Sequence, residues 1–543
     1  MEILTVNKME KEALKGSGID FIRLGFALFF MVAVLAYSFL SMGSVPNSMF
    51  LAIAALFGAY MAMNIGANDV ANNVGPAVGS KALTMGGAII IAAVFEAAGA
   101  LIAGGDVVKT IKKGIIDIGA FGGNVDPFIW AMMAALLAAA LWLNFATIIK
   151  APVSTTHSIV GGVMGAGIAA AGFGIVNWLT MAKIASSWII SPILGGIIAA
   201  LFLLAIKKTM VFKKDKIQAA IKWVPVFVAI MSWAFITYLT LKGLKKVWPD
   251  IVDIFIFLPD TKKPTFAVAA IFGLIIAIVV YMFMRTVVNK KAAGIENTRA
   301  GVNTLFTVPL IFAAALLSFA HGANDVANAI GPLAAINDAV VTGGISAKAG
   351  IPLWVMGVGA IGIAMGLALY GPKLIKTVGS EITELDQMRA FSVAMAASIT
   401  VIIASQLGLP VSSTHIAIGG IFGVGFLREY LETTNVKEDM AHEREEIADE
   451  KKLLKAYSRE LKTLDAKEQK TKEDYERIVN LYKMINDEEI NLKDAKKNLK
   501  SSEKVQYVKR DAIKKIIAAW VITVPAASVI SALIFFMIKG IVL

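Results

Sequence analysis

Residues 66–73 read GANDVANN, and residues 322–329 read GANDVANA. A second pair of motifs follows in the same order: PVSTTHSIVGG at 152–162 and PVSSTHIAIGG at 410–420. Asn68 recurs 256 positions on as Asn324, and Pro152 recurs 258 positions on as Pro410. Two unrelated motifs that return in one order at nearly one separation mean that the chain contains a duplicated unit. The stretches between the motifs keep the register, since VKTIKKG at 108–114 resembles IKTVGSE at 375–381.

The sequence around the motifs is that of a membrane protein. Of 543 residues, 57% are apolar and 17% charged, against about 45–50% and about 25% in a soluble domain. Mean hydropathy is +0.71, and apolar runs near the length needed to cross hydrocarbon recur from end to end. The absence of cysteine removes disulfides, thiolate zinc sites and a cysteine nucleophile together. The net charge of +12 fits cytoplasmic Lys and Arg that fix topology, and gives no reason to invoke nucleic acid.

These patterns predict an all-α polytopic protein of the cell membrane. Residues 1–48 form an extra first helix with its N-terminus inside, and 49–206 form the first repeat. Residues 207–302 supply connecting helices and loops, 303–428 the second repeat, 429–513 a soluble charged insertion and 514–543 the last helix of the second repeat. The first unit follows an uncharged loop, whereas the second follows a loop with Arg285, Lys290, Lys291 and Arg299. One unit therefore starts outside and the other inside, the pattern of inverted-topology repeats in secondary transporters. From Glu429 to Val524 there is no Gly or Pro, and apolar residues recur at helical spacing within a Lys/Glu-rich background. That predicts two antiparallel helices joined near 464–471, a solvated hairpin on the cytoplasmic side.

In such a setting Asp69 and Asp325 are expected to function, because an intramembrane carboxylate costs about 3 kcal/mol or more. Each follows Gly-Ala-Asn and precedes a second Asn, so Asn68 with Asn72 and Asn324 with Asn328 lie at i,i+4. Helices broken at Gly66 and Gly322, and stopped by Gly75-Pro76 and Gly331-Pro332, would bare backbone groups suited to ions. With no imidazole or thiolate between them, the carboxylates and amides suit a hard cation such as Na⁺. In the second motif, Pro152 and Pro410 mark helix starts. There Ser154, Thr155 and Thr156, with Ser412, Ser413 and Thr414, set hydroxyls beside first-turn N–H groups, an anion site suited to phosphate that Asn68 and Asn324 are expected to complete. For His157, His415 and His321 packing against a carbonyl is the plainer expectation and direct substrate or proton duty the alternative, with gating or coupling the role open to Glu96, His157 and His415. Glu96 stands in an apolar run, with Ile363 as its counterpart in the second unit, so its role is asymmetric.

The paired GAND and PVS(T/S)TH motifs resemble those of the inorganic phosphate transporter (PiT) family over both repeats. That resemblance implies uptake of inorganic phosphate by a secondary carrier rather than an enzyme, coupled to Na⁺ in many members and to H⁺ or as metal–phosphate in others, often as a homodimer. It implies nothing for the insertion at 429–513. On physical grounds the motifs bring two carboxylates and no Lys or Arg, and phosphate beside Asp69 and Asp325 would be strongly repelled in low dielectric. Cations that load with or before the anion remove the repulsion, which makes co-loading the coupling. Sulfate or another oxyanion would satisfy the same physics. A metalloprotease is excluded by the spacing of the four histidines.

Overall fold

A computed structural model describes residues 2–43, 45–149, 153–245, 247–255, 258–345, 350–381, 385–467, 471–502 and 510–542. Among them the chain forms eighteen α-helices and no extended sheet. The first half holds α1 (Glu2–Met42), α2 (Ser48–Asn68), α3 (Val70–Gly79), α4 (Met85–Ala103), α5 (Gly105–Lys113), α6 (Val125–Ile148), α7 (Thr155–Ala171) and α8 (Trp178–Ile206). The middle holds α9 (Lys216–Gly243), α10 (Trp248–Ile254), α11 (Phe266–Ala292) and α12 (Arg299–Leu305). Then come α13 (Thr307–Thr342), α14 (Leu353–Glu381), α15 (Gln387–Gln406), α16 (Ser413–Asp465), α17 (Lys472–Ser502) and α18 (Arg510–Val542). Eleven helical segments of the described residues are long and apolar enough to span a membrane. At 17 residues, α7 is shorter than the roughly 20 needed to cross hydrocarbon.

Helix contacts recur in exchanged form between the two halves. In α2, Gly66 lies so close to the α14 backbone that a Cβ would overlap the Ile363 carbonyl, and on α14 Gly366 meets Met63 in the same way. The matched contacts join α13 to α4: Gly322 meets the Glu96 backbone, and Gly99 meets Phe319. Likewise Gly161 and Gly165 of α7 abut Val524 and Ser528 of α18, while Gly419 and Gly423 of α16 abut Pro192 and Gly196 of α8. Each half therefore packs its motif helices against closing helices of the other. Helix association in lipid lacks a hydrophobic drive, so close approach over small residues supplies the packing energy.

This packing revises three expectations. Gly66 and Gly322 do not break helices. The first-half interruption falls at Asn68–Asp69, between α2 and α3, and α13 runs unbroken through Gly322. Pro76 and Pro332 lie inside α3 and α13 instead of ending them. The motif helices begin at Thr155 and Ser413, each three residues after its proline; Pro152 itself lies outside the described residues.

Two ion-paired links join elements outside the repeats' glycine contacts. Lys112 of α5 and Asp338 of α13 form a buried ion pair. Asp106 at the start of α5 faces Lys242 at 2.5 Å, Lys245 at 3.6 Å and Lys109 at 3.5 Å. Burial acts to raise the Asp106 pKa, but these three lysines outweigh it and hold the carboxyl below its usual value.

Residues 425–509 form a compact unit of their own. Within it, Arg477 of α17 makes a bidentate bond to Glu460 of α16 at 2.8 and 3.1 Å. Thr471 and Asp474 cap α17 reciprocally, with Lys467 reaching Asp474 at 2.7 Å. Ile478 and Leu481 face inward, whereas Tyr475 and Leu453 are exposed.

Candidate substrate and cation site

Both GAND segments and both hydroxyl motifs meet in one buried cluster. Thr155 Oγ1 donates to Asp69 Oδ2 at 2.7 Å, and Thr414 Oγ1 of the other half donates to Asp69 Oδ1 at 3.2 Å. Ser413 Oγ donates to Asp325 Oδ2 at 2.8 Å. Asn72 Nδ2 donates to Thr414 Oγ1 at 2.9 Å, while Asn328 Nδ2 is shared between Thr155 and Thr156 at 3.2 and 3.1 Å. Thr156 Oγ1 in turn donates to the Val411 carbonyl at 2.9 Å. Asn324 Nδ2 reaches Ser405 Oγ at 2.9 Å and the Leu409 carbonyl at 3.2 Å, and its Oδ1 accepts from Val411 N at 3.3 Å. All of these side chains are buried.

The serines that open the motifs have a different task from the residues after them. Ser154 and Ser412 each accept the N–H of the histidine three residues on, at 3.1 and 3.3 Å, and so cap α7 and α16. Their hydroxyls thus occupy one first-turn donor in each helix. Asp69 stands at the N-cap of α3 without using its carboxylate as a cap, because Thr155 and Thr414 hold it. Asn68 is buried beside the α2–α3 interruption, and its amide nitrogen has no partner.

An imidazole does stand with the carboxylates, contrary to the expectation from the motifs alone. His321 is one helical turn before Asp325, and its Nε2 lies 2.7 Å from Asp325 Oδ2, too oblique for a hydrogen bond. On the other side, His321 Nδ1 lies 2.6 Å from Glu96 Oε2, and Glu96 Oε1 accepts from Asn73 Nδ2 at 2.8 Å. One ligand atom each from Asp69, His321 and Asp325 lies within 4.8 Å of the others. The packing role expected for His321, with a carbonyl partner, is therefore replaced by a bridge between two carboxylates. The signal was present as the i,i+4 spacing to Asp325, but Glu96 is 225 positions away in sequence. In the first half the matched positions are Ile65 and, against it, Ile363, so only one half carries the bridge.

The donor set fits hard cations in this cluster. Asp325 Oδ1 and Asn328 Oδ1 are buried oxygens without a partner, and carboxylate, amide and hydroxyl oxygens are the ligands that such ions take. His157 and His415 pack ring to ring, with centroids 4.6 Å apart, where the two motif helices meet. Trp188 lies against His157 at 3.8 Å and Trp520 against His415 at 3.7 Å. Trp188 also donates to the Pro410 carbonyl at 3.2 Å, which ties α8 to the second hydroxyl motif. These histidines form a stacked core behind the hydroxyls and make no hydrogen bond to Asp69 or Asp325.

Comparison with known proteins gives a consistent set of relatives. Residues 65–531 match the model of a family described as the phosphate transporter family. A protein of Helicobacter pylori strain J99 is 47% identical over 547 residues, covering 98% of each chain. A protein of Pyrococcus horikoshii is 38% identical over 384 residues, covering 71% of this chain and 90% of its own. Both relatives carry the name "putative phosphate permease". A solved structure titled "The sodium-dependent phosphate transporter" matches with a TM-score of 0.71 and 29% identity, over 91% of this chain and 99% of its own.

Proposed function

The chain belongs to the phosphate transporter family, and from that premise we propose that it carries inorganic phosphate across the membrane in symport with Na⁺. The observation that carries the reading is that Asp69 and Asp325 share one buried cluster with hydroxyls of both motifs. The first-turn N–H groups of α7 and α16 and the amide of Asn68 offer donors to phosphate oxygens, and Thr155, Thr156, Ser413 and Thr414 join them when their hydroxyl protons turn from the carboxylates and the Val411 carbonyl to the anion. Asp69, Asp325 and the side-chain oxygens of Asn328, Asn72 and Asn324 offer ligands to Na⁺. Placing phosphate and two carboxylates in one low-dielectric pocket without cations would be strongly repulsive. Cation loading therefore precedes or accompanies the anion, and an empty or fully loaded carrier is the form that reorients.

The exchanged packing of the halves supports an inverted-topology arrangement, in which one repeat rocks against the other around the shared site. The sodium-dependent neighbour supports Na⁺ over other ions. A second reading, proton coupling, is favoured by a specific observation: His321 lies between Glu96 and Asp325 at one half-site.

Labelled phosphate uptake into proteoliposomes, with Na⁺ and pH gradients imposed separately, tests the proposal. Uptake should follow the Na⁺ gradient at constant pH. Uptake that follows the pH gradient and ignores Na⁺ would replace Na⁺ by H⁺, and uptake of sulfate in place of phosphate would overturn the substrate.

A further inference from the structure

A cavity of about 580 Å³ opens between α8 and α15, with Leu409 and Val411 of the second hydroxyl motif's approach in its lining. Its walls are apolar, with Ile190, Ile403 and Leu407 exposed along it. Two polar features stand out. Lys183, near the start of α8, has no carboxylate partner among the described residues and lies in the cavity lining. Ser191, two turns further on, has a buried hydroxyl with no hydrogen-bond partner.

The other half shows what fills the matched place. Gly162 packs on Ala135 of α6 as Gly420 packs on Val393 of α15, which sets Trp142 opposite Thr400 in register. By the contacts of α7 with Val524 and of α16 with Pro192, Thr523 matches Ser191. In the first-half cleft, Trp142 donates through its indole Nε1 to Thr523 Oγ1 at 3.4 Å. In the second, Thr400 turns its hydroxyl to the Ala396 carbonyl at 2.8 Å and is far smaller than an indole. The second cleft therefore lacks the apolar body and the hydrogen-bonding group that complete the first.

We propose that this cleft binds an anionic phospholipid. The acyl chain takes the place of the missing indole, an ester group meets the Ser191 hydroxyl, and the headgroup phosphate faces Lys183. The bilayer is the favoured source because the cleft opens through a face whose neighbours Leu179, Ile193 and Ile197 are exposed and apolar, as lipid-facing residues are. A single phospholipid supplies both the apolar body and the countercharge that Lys183 lacks. A bound lipid would also touch Leu409 and Val411. The backbone of those residues is bonded to Asn324 and Thr156, so occupancy reaches the transport site without sharing a ligand with it.

Native mass spectrometry of the full-length protein, titrated with phosphatidylglycerol or phosphatidylcholine, tests the assignment. The wild type should retain one phosphatidylglycerol about fivefold more tightly than phosphatidylcholine, the ratio given by about 1 kcal/mol for one basic side chain at an anionic surface. Lys183→Gln should abolish that preference. Thr400→Trp should remove the tight adduct while leaving the melting temperature unchanged. If Thr400→Trp is not monodisperse, Ala404→Trp plugs the same cleft from the next turn of α15 and should give the same loss. A folded tryptophan variant that keeps the full complement of phosphatidylglycerol overturns the proposal, as does Lys183→Gln with its preference intact. A shift from dimer to monomer in the tryptophan variants with lipid retained would assign the cleft to a second copy of the chain and equally overturn it.

Discussion

Replacing Thr414 by Ala separates the chemistry of the two halves. The sequence motifs pair Thr414 with Thr156 as equals, yet the two hydroxyls do different things. Each accepts from the second Asn of the opposite GAND segment, but Thr156 donates to a backbone carbonyl, at Val411, whereas Thr414 donates to Asp69 across the boundary between halves. Removing the Thr414 hydroxyl leaves one oxygen of a buried carboxylate and one amide nitrogen without these partners. A hydrogen bond to a charged group contributes about 1.5–3 kcal/mol; at 3.2 Å the bond to Asp69 is longer than a charge-assisted bond at its best. The lower figure applies, and about 1.5 kcal/mol corresponds to roughly tenfold in a half-saturation constant. If Asp69 holds the cation, Thr414→Ala should raise the Na⁺ concentration for half-maximal uptake by about that factor, and Thr414→Ser should recover most of it. Thr156→Ala should leave the Na⁺ dependence nearly unchanged. The assay is initial uptake of labelled phosphate into proteoliposomes across a Na⁺ series, normalised to inserted protein. A Thr414→Ala variant with normal Na⁺ dependence and a raised phosphate KM would refute the division, and would leave Thr414 serving the anion alone.

Three further outcomes follow from the packing. Glu96→Leu or His321→Ile alone should destabilise the folded protein by about 3–5 kcal/mol, because each strands a buried partner. The double variant Glu96→Ile with His321→Ile, which copies Ile363 and Ile65 of the matched position, should regain most of that melting temperature yet lose cation-coupled uptake; a double variant no more stable than the singles contradicts the register. Gly322→Val should prevent folding, since even a Cβ there overlaps the Glu96 backbone, whereas Gly357→Val, which faces open space, should fold normally as judged by size-exclusion profile. Replacing residues 432–505 with a short Gly/Ser linker should leave phosphate uptake per folded molecule within a few-fold of the parent, and a normally inserted deletion without uptake would make the charged hairpin part of the transport cycle.

Much of this organisation was legible in the sequence because it rests on local signals repeated twice. Helices came from apolar length, and the duplication from the paired motifs. What was not legible depends on helix neighbours. Gly66 and Gly322 looked like helix breakers because glycine is a poor helix former in water. In lipid the same residue allows close approach between helices, and the contacts with Ile363 and Glu96 show that use. Glu96 appeared as an isolated asymmetry, since nothing local tells which side chain faces it across a helix crossing. The caps at Ser154 and Ser412 were hidden for a simpler reason, as serine followed by more hydroxyls reads equally well as cap or ligand.

The differences between the halves bear on coupling more than their likeness does. Exchanged glycine contacts give each repeat the same kind of seat on the other, so under the proposed rocking motion the two access states use closely matched packing and neither gains a large advantage from it. A ligand can shift such an equilibrium only by binding the two states unequally. Two sets of positions that break the likeness lie at the site. Asp69 is held by hydroxyls from both halves, whereas Asp325 is held by one hydroxyl and faces an imidazole backed by Glu96. In that motion Asp69 would lose a direct donor that belongs to the other half, whereas Asp325 and His321 would move together on α13 and only the contact of His321 with Glu96 would part. On the proposed symport the two carboxylates are therefore inequivalent, and the Asp69 half-site is the one whose cation affinity is expected to change as the carrier reorients.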